Sequence, residues 1–344
     1  MDAYTRAMIR RLDTIRGLAA SAMLAAAAAG PLAAPPGAHA PTSRSTAAAA
    51  GGRATAPTVP AASPGASAPG SAGADFAQWC GRVASQVPGL TRAGCQAAGL
   101  VAGDGRSVRG VPLWSRDVLP AGRPARFRVL LLGGIHGDEL TSVTLAFDWI
   151  SRLRAAQALP GSTAGAIAWR IVPLLNPDGL LHAPALRVNA NGVDLNRNFP
   201  TADWERDAQP YWVQRTRRDP RRFPGPQPLS EPESRWLLGQ IEAFRPDLIV
   251  SVHAPYGLLD FDGPPPAPRR LGDLQLDPVG VYPGSLGNYG GLVRRLPVMT
   301  LELRNARRIS GAELGAMWDD LQRWIAQRVG QGATEAGRGV SSPS

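Results

Sequence analysis

Four short apolar runs, separated by stretches with helical spacing, constrain this chain more than any other feature. "FRVLLLGGI" (127–135), "AIAWRIVPLL" (166–175), "DLIVSVHA" (247–254) and "LPVMTLELR" (296–304) each read as a core strand. Between and after them, "DELTSVTLAFDWISRLRAA", "SEPESRWLLGQIEAF" and "GAELGAMWDDLQRWIAQRV" carry apolar residues at helical intervals. In the second of these, Ser230 stands three residues before Glu233, the spacing of a capping box, and the helix must stop before Pro246. Strands that alternate with helices predict an α/β three-layer sandwich: a mixed, largely parallel central sheet with helices on both faces. Residues 126–330 are expected to form that domain, followed by a disordered tail over 331–344.

The first 125 residues have a different character. "MDAYTRAMIRRLDTIRG" carries four arginines, an alanine-rich apolar stretch follows, and Ala38-His39-Ala40 offers a small-x-small cleavage pattern. This is the tripartite form of a secretory signal peptide over 1–40, cleaved near Ala40. The apolar stretch is interrupted by Gly30 and Pro31 and makes a poor permanent membrane span. No stable membrane anchor is therefore expected, and the protein should be exported, periplasmic or secreted. Residues 41–74 hold only small and polar side chains apart from one valine, and read as a disordered linker. Residues 75–125 form a small N-terminal extension. In it "DFAQWCGRVASQV" predicts a helix with Phe76, Trp79, Val83 and Val87 on its apolar side, and "VRGVPLWSRDV" a strand pair or extended segment. The two cysteines, Cys80 and Cys95, are too few for a disulfide framework. In an oxidising compartment they would close one short loop, with a nominal gain of about 3 kcal/mol.

The net charge is +10 and all 37 basic side chains are arginines. They are scattered, with no aromatic-interleaved stripe, which argues against a nucleic-acid partner and for an arginine-rich surface that would favour an anionic one.

The chemistry sits just past the strand ends, where open α/β sheets collect reactive groups. His136 and Glu139 follow the first strand, Asn176 and Asp178 the second, His253 the third, and Glu302 ends the fourth. Taken singly, a histidine there reads as a structural residue; two of the chain's four histidines placed this way, with a nearby acid, read as a metal site. A catalytic zinc takes three protein ligands and leaves one position open, so His136, Glu139 and His253 make a His₂Glu set for one Zn²⁺ per chain. Glu302 is the acid expected to activate water. "RVNANGVDLNRNFP" (187–200) reads either as a polar loop or as a substrate clamp. In the second reading Arg197 grips a carboxylate through two parallel hydrogen bonds, and Asp194 orients a metal-bound histidine.

"HGDE" (136–139), "NPDG" (176–179), "DLNRNFP" (194–200), "SVHA" (251–254) and "TLEL" (300–303) occur in the order found in zinc carboxypeptidases of the carboxypeptidase A type. "GGIHGDE" and "NANGVDLNRNFP" resemble most the bacterial branch called murein peptide amidase A, over roughly residues 126–325. The resemblance implies that His136, Glu139 and His253 hold zinc and that Glu302 is general base and then general acid. It further implies that Asn196 and Arg197 bind the substrate's free carboxylate and that Arg187 polarises the scissile carbonyl. Tyr282, with Tyr289 as the alternative, would cover the substrate. Asp138 departs from the digestive enzymes, which carry an arginine there, and argues against copying their specificity. The implied activity is hydrolysis of cell-wall (murein) peptides at the γ-D-glutamyl–diaminopimelate amide, by a monomer whose partner is a peptide with a free carboxylate. The competing readings are a broader metallocarboxypeptidase, an aspartoacylase-like N-acyl amino acid deacylase, and a non-catalytic wall-binding relative.

Overall fold

The computed structural model describes residues 69–338, apart from 121, 123, 158–165 and 265. The expected signal peptide and most of the expected linker lie outside these residues.

Strand β3 (Phe127–Leu132) shows how the layers arise. Its side chains alternate between two faces. Val129 and Leu131 enter one core with helices α1 (Pro69–Gln86), α3 (Leu140–Gln157) and α6 (Gly311–Arg338). Leu130 and Leu132 enter a second core with α5 (Pro232–Phe244), Leu195, Phe199 and Tyr289. The sheet is therefore covered on both sides. Its strand order is β1-β2-β4-β3-β5-β9-β6-β8-β7. The remaining strands are β1 (Val101–Arg106), β2 (Pro112–Val118), β4 (Ile167–Val172), β5 (Leu248–His253), β6 (Leu258–Asp262), β7 (Arg270–Leu271), β8 (Leu274–Leu276) and β9 (Val298–Glu302). The four central strands, β4, β3, β5 and β9, are parallel, so their carboxyl ends share one edge of the sheet. The flanks are mixed: β2 joins β4 antiparallel, β6 joins β9 antiparallel, and β6 and β8 are parallel.

The segment expected as an N-terminal extension contributes directly to this architecture. Its two strands, β1 and β2, extend the sheet past β4. Trp79 and Val83 of α1, and Val87 just after it, are buried as their spacing predicts, and the Trp79 ring lies 5.7 Å from that of Trp114 on β2. Cys80 on α1 and Cys95 on α2 (Arg92–Ala97) are joined as a disulfide, and both are fully buried.

Three local expectations are corrected. The first helix begins at Pro69, inside the stretch read as linker, because proline's fixed φ suits a first helical turn and the buried Trp79, Cys80 and Val83 anchor the later turns. The last helix continues to Arg338, past residue 330, since propagation from turns already nucleated needs no new nucleus. The capping box at Ser230 does not form. The helix starts at Pro232 with Glu231 as its N-cap, because Glu233 accepts from the Val108 amide instead of reaching back.

Candidate metal centre and substrate cleft

Two turns at the carboxyl edge of the sheet position the first half of the site. The chain leaves β3 through Gly133 and Gly134, and His136 and Glu139 face each other before α3 begins, with His136 Nδ1 2.8 Å from Glu139 Oε1. After β4, Asn176 caps the single-turn helix α4 (Pro177–Leu180) by accepting from Gly179 N and donates to the Arg187 carbonyl. The two turns nearly touch. A Cβ on Gly137 would lie 2.3 Å from the Gly179 carbonyl carbon, so only glycine allows this approach. Asp178 holds the same corner from below by accepting from Ser107 Oγ and Arg109 N. Asn176 and Asp178 thus shape the loop that carries Arg187 and stand back from the centre itself.

His253 arrives from the end of β5. Its Nδ1 lies 3.1 Å from His136 Nδ1 and 3.1 Å from Glu139 Oε2. His136, Glu139 and His253 each offer one ligand atom within 4.8 Å of the others, and all three are buried. The outer ring nitrogens are held from behind. Asp194 Oδ1 lies 3.0 Å from His136 Nε2, and Ser251 Oγ lies 3.0 Å from His253 Nε2. A carboxylate behind Nε2 keeps the proton there and turns the Nδ1 lone pair inward, which is what a metal ligand requires. The donor set therefore fits a divalent ion of the zinc type: two imidazoles and one carboxylate, with both imidazoles supported from behind.

The charges agree with this packing. Burial opposes ionisation of Glu139, yet His136 and His253 hold its carboxyl well below the ordinary range. Burial also opposes a charged Asp194, and Arg187 and His136 more than offset it. Arg187 closes the cluster, donating through Nε and Nη2 to Asp194 Oδ2 at 3.1 and 3.0 Å, with Nη1 3.3 Å from Glu139 Oε1. Glu302 stands beside His253 on the adjoining strand, paired with it in register. Burial raises its carboxyl above the usual value, and Oε2 accepts no hydrogen bond among the described residues.

Residues 78–259 match the zinc carboxypeptidase family. The chain belongs to that family. The murein peptide amidase A of Escherichia coli (strain K12) is 38% identical over 159 residues, which are 45% of this chain and 60% of that relative. The murein peptide amidase A of Vibrio campbellii (strain ATCC BAA-1116) is 34% identical over 206 residues, 58% of this chain and 77% of that relative. The chain thus spans less than two thirds of the E. coli relative's length. Among solved structures, bovine thrombin-activatable fibrinolysis inhibitor, in complex with tick carboxypeptidase inhibitor, shares the fold. Its TM-score is 0.52 at 15% identity, over 76% of this chain and 97% of that one.

The remaining residues singled out from the sequence lie on the 187–200 loop, on the turn that carries Tyr282, and beside Glu139. Arg197 is buried, with its guanidinium carbon 4.5 Å from the centroid of the Tyr282 ring. Asn196 Oδ1 accepts from Leu286 N, so the donor end of its amide is the one that can meet a carboxylate. A Cβ on Gly284 would lie 1.9 Å from the Arg197 carbonyl oxygen, and φ there is +76°, so glycine is needed to bring the Tyr282 turn against Arg197. Tyr282 is half-buried and packs edge-on against Tyr211. The alternative, Tyr289, is excluded as a cover because its ring is buried in the second core, stacked on Phe199. Asp138 is bound by Arg221 at 2.8 Å.

Sequence reasoning missed two supports. Ser251 stands two residues before His253 on the same strand face, a period-two signal that was available. The network around Asn189, which donates to both Glu231 and Glu233, left no such trace, because its members are 42 and 44 residues apart in the chain.

Proposed function

We propose that this protein is a zinc-dependent amide hydrolase acting on murein peptides outside the cytoplasmic membrane, at the bond between γ-D-glutamate and a diamino acid such as diaminopimelate. The observation that carries this reading is the meeting of His136, Glu139 and His253 beside Glu302, whose Oε2 accepts no hydrogen bond among the described residues. The identity to two murein peptide amidases supports the substrate class. The arginine-then-apolar leader with Ala38-His39-Ala40 supports export, and no helix among the described residues is long and apolar enough to cross a membrane. A net charge of +10 favours an anionic wall polymer.

His136, Glu139 and His253 would hold one zinc, which supplies Lewis acidity toward water and the scissile carbonyl. Glu302 takes a proton from the attacking water and returns it to the departing amine; its raised carboxyl suits both halves of that transfer. Arg187, held against Asp194, presents a fixed positive charge to the oxyanion that develops. Asn196 and Arg197 bind the free carboxylate on the downstream side, and Tyr282, packed on Arg197, lies over the bound residue.

Mass spectrometry of products from the tripeptide L-Ala-γ-D-Glu-diaminopimelate tests the proposal. Release of free diaminopimelate, abolished by a chelator and restored by zinc, is expected. Cleavage only of ordinary α-linked peptides would make the protein a broader carboxypeptidase, cleavage only of N-acyl aspartate a deacylase, and no cleavage with no bound zinc a wall-binding relative.

A further inference from the structure

One stretch breaks the scatter of the arginines. "RTRRDPRR" (215–222) holds five arginines against one aspartate. The segment is tied to the site on both sides. Just before it, Tyr211 packs edge-on against Tyr282. At its far end Arg221 binds Asp138, which stands between His136 and Glu139 in the chain, at 2.8 Å. The next anchor is the Phe223 carbonyl, which accepts from Asp194 N at 2.8 Å.

The turn between these anchors is strained. Arg217 and Arg218 both have a left-handed backbone, with φ of 56° and 58°. Residues with a Cβ adopt that conformation rarely and at a cost, whereas glycine takes it freely. The turn is nonetheless held from several directions. Arg218 N and Thr216 Oγ1 donate to the Trp212 carbonyl, Asp219 N donates to that of Thr216, and Trp212 Nε1 to that of Asp219. The Trp212 ring packs on Phe223, with centroids 4.9 Å apart. Strain persists only where the surroundings over-determine it, and here it places two arginine side chains. Arg215, Arg217 and Arg218 are exposed and make no ion pair among the described residues. Arg222 meets only Asp219, at 3.6 Å. A patch of uncompensated positive charge therefore borders the site.

We propose that residues 215–222 are a docking surface for polymeric murein, on which Arg215, Arg217 and Arg218 bind carboxylates of the peptides next to the one held in the site. This rests on the amide-hydrolase reading above. A guanidinium matches a carboxylate through parallel N–H bonds. Each γ-linked glutamate leaves its α-carboxylate free, so the polymer repeats the group that the patch would take. The patch adjoins the substrate site, so the anions it meets first belong to the same polymer. A nucleic acid fits less well. The rings of the segment are already engaged, Trp212 by Phe223 and Tyr211 by Tyr282, and leave no platform for stacked bases.

The test uses the zinc-loaded full chain and two substrates with the same scissile bond. One is the free tripeptide L-Ala-γ-D-Glu-diaminopimelate; the other is soluble murein strands that carry this tripeptide and no phosphate polymer. Replacing Arg215, Arg217 and Arg218 together by glutamine should lower kcat/KM on the strands by roughly tenfold or more at low salt. The tripeptide does not reach past the site, so its kcat/KM should stay within about threefold. Raising salt from about 0.1 to 1 M, which shortens the screening length from about 10 to 3 Å, should erase most of the difference on strands. Arg217→Gly with Arg218→Gly relieves the strain, so this variant should fold and melt like the wild type yet lose strand activity, which a merely structural role would not produce. Equal losses on both substrates, no loss on strands, or a wild type that cleaves the tripeptide but not the strands would overturn the inference. If the wild type cleaves neither, the hydrolase reading fails, and cosedimentation with purified sacculi stripped of phosphate polymers judges the patch by itself. Retention of the wild type but not of the triple glutamine variant supports it; equal retention of both, or retention only on sacculi that keep a phosphate polymer, would refute it.

Discussion

Replacing Asp194 by asparagine is the sharpest perturbation of the site's support. The carboxylate is fully buried and surrounded by donors on both sides. Oδ1 faces His136 Nε2 and Asn196 N, each at 3.0 Å; Oδ2 faces Arg187 Nε and Nη2 at 3.1 and 3.0 Å. An amide of the same shape has one oxygen and one NH₂. Either orientation sets N–H against N–H, at the histidine or at the arginine. Removing one partner of a buried ion pair costs about 3–5 kcal/mol, because the other charge is left uncompensated. For a domain of this size, that corresponds to a fall in melting temperature of roughly 6–20 °C. Loss of the group that fixes the His136 tautomer should weaken zinc by about 10- to 100-fold, equivalent to about 1.4–2.7 kcal/mol. Thermal unfolding in the presence of a chelator reads the first effect, and competition titration with a chromogenic chelator reads the second. A variant that melts like the wild type and binds zinc within about threefold of it would refute the role of Asp194 in organising both His136 and Arg187.

Other perturbations separate the remaining roles. Glu302→Gln should keep zinc and lose about 10²- to 10⁴-fold in kcat, the share of a general base; metal analysis beside steady-state kinetics checks this, and wild-type rates would remove Glu302 from the chemistry. Arg197→Lys should raise KM for substrates with a free carboxylate by roughly tenfold, because an ammonium cannot form the two parallel bonds of a guanidinium; unchanged kinetics would count against the clamp. Glu233 gives a pH signature. Burial pushes its carboxyl from 4.5 up to about 7. Because the folded-state value lies above the unfolded one, its contribution to stability is complete below about pH 4.5 and lost as pH rises through about 7, some 3 kcal/mol in all. Glu233→Gln should flatten that part of the urea-unfolding profile between about pH 4.5 and 7; an unchanged slope would dismiss the assignment.

Much of this was readable from the chain because burial on both faces forces strands such as "VLLL" and "LIVSV" to be continuously apolar, and such runs stand out in a sequence. The reactive residues stand out too, since a polar residue that ends an apolar run has little reason to be there unless the edge of the sheet uses it. His136, His253 and Glu302 all have this position, and the structure brings them together. The features that escaped notice depend on contacts rather than on runs. Asp260 and Asp262 in "LLDFDG" look like a strand running into a turn, and only the register with β9 places them behind Glu302. Tyr282 and Tyr289 are equivalent in sequence; packing alone sends Tyr289 into the core and leaves Tyr282 against Arg197. The capping spacing at Ser230 was overruled by a long-range bond from Val108 to Glu233, which no local pattern encodes.

The central claim is that three side chains from two strand ends hold one metal ion. Zinc titration of the chelator-stripped protein by calorimetry, for the wild type and for His253→Ala, tests it most directly. One zinc per chain should bind tightly to the wild type, and binding to the variant should collapse, since three ligands become two. Tight one-to-one binding that survives His253→Ala would contradict the claim.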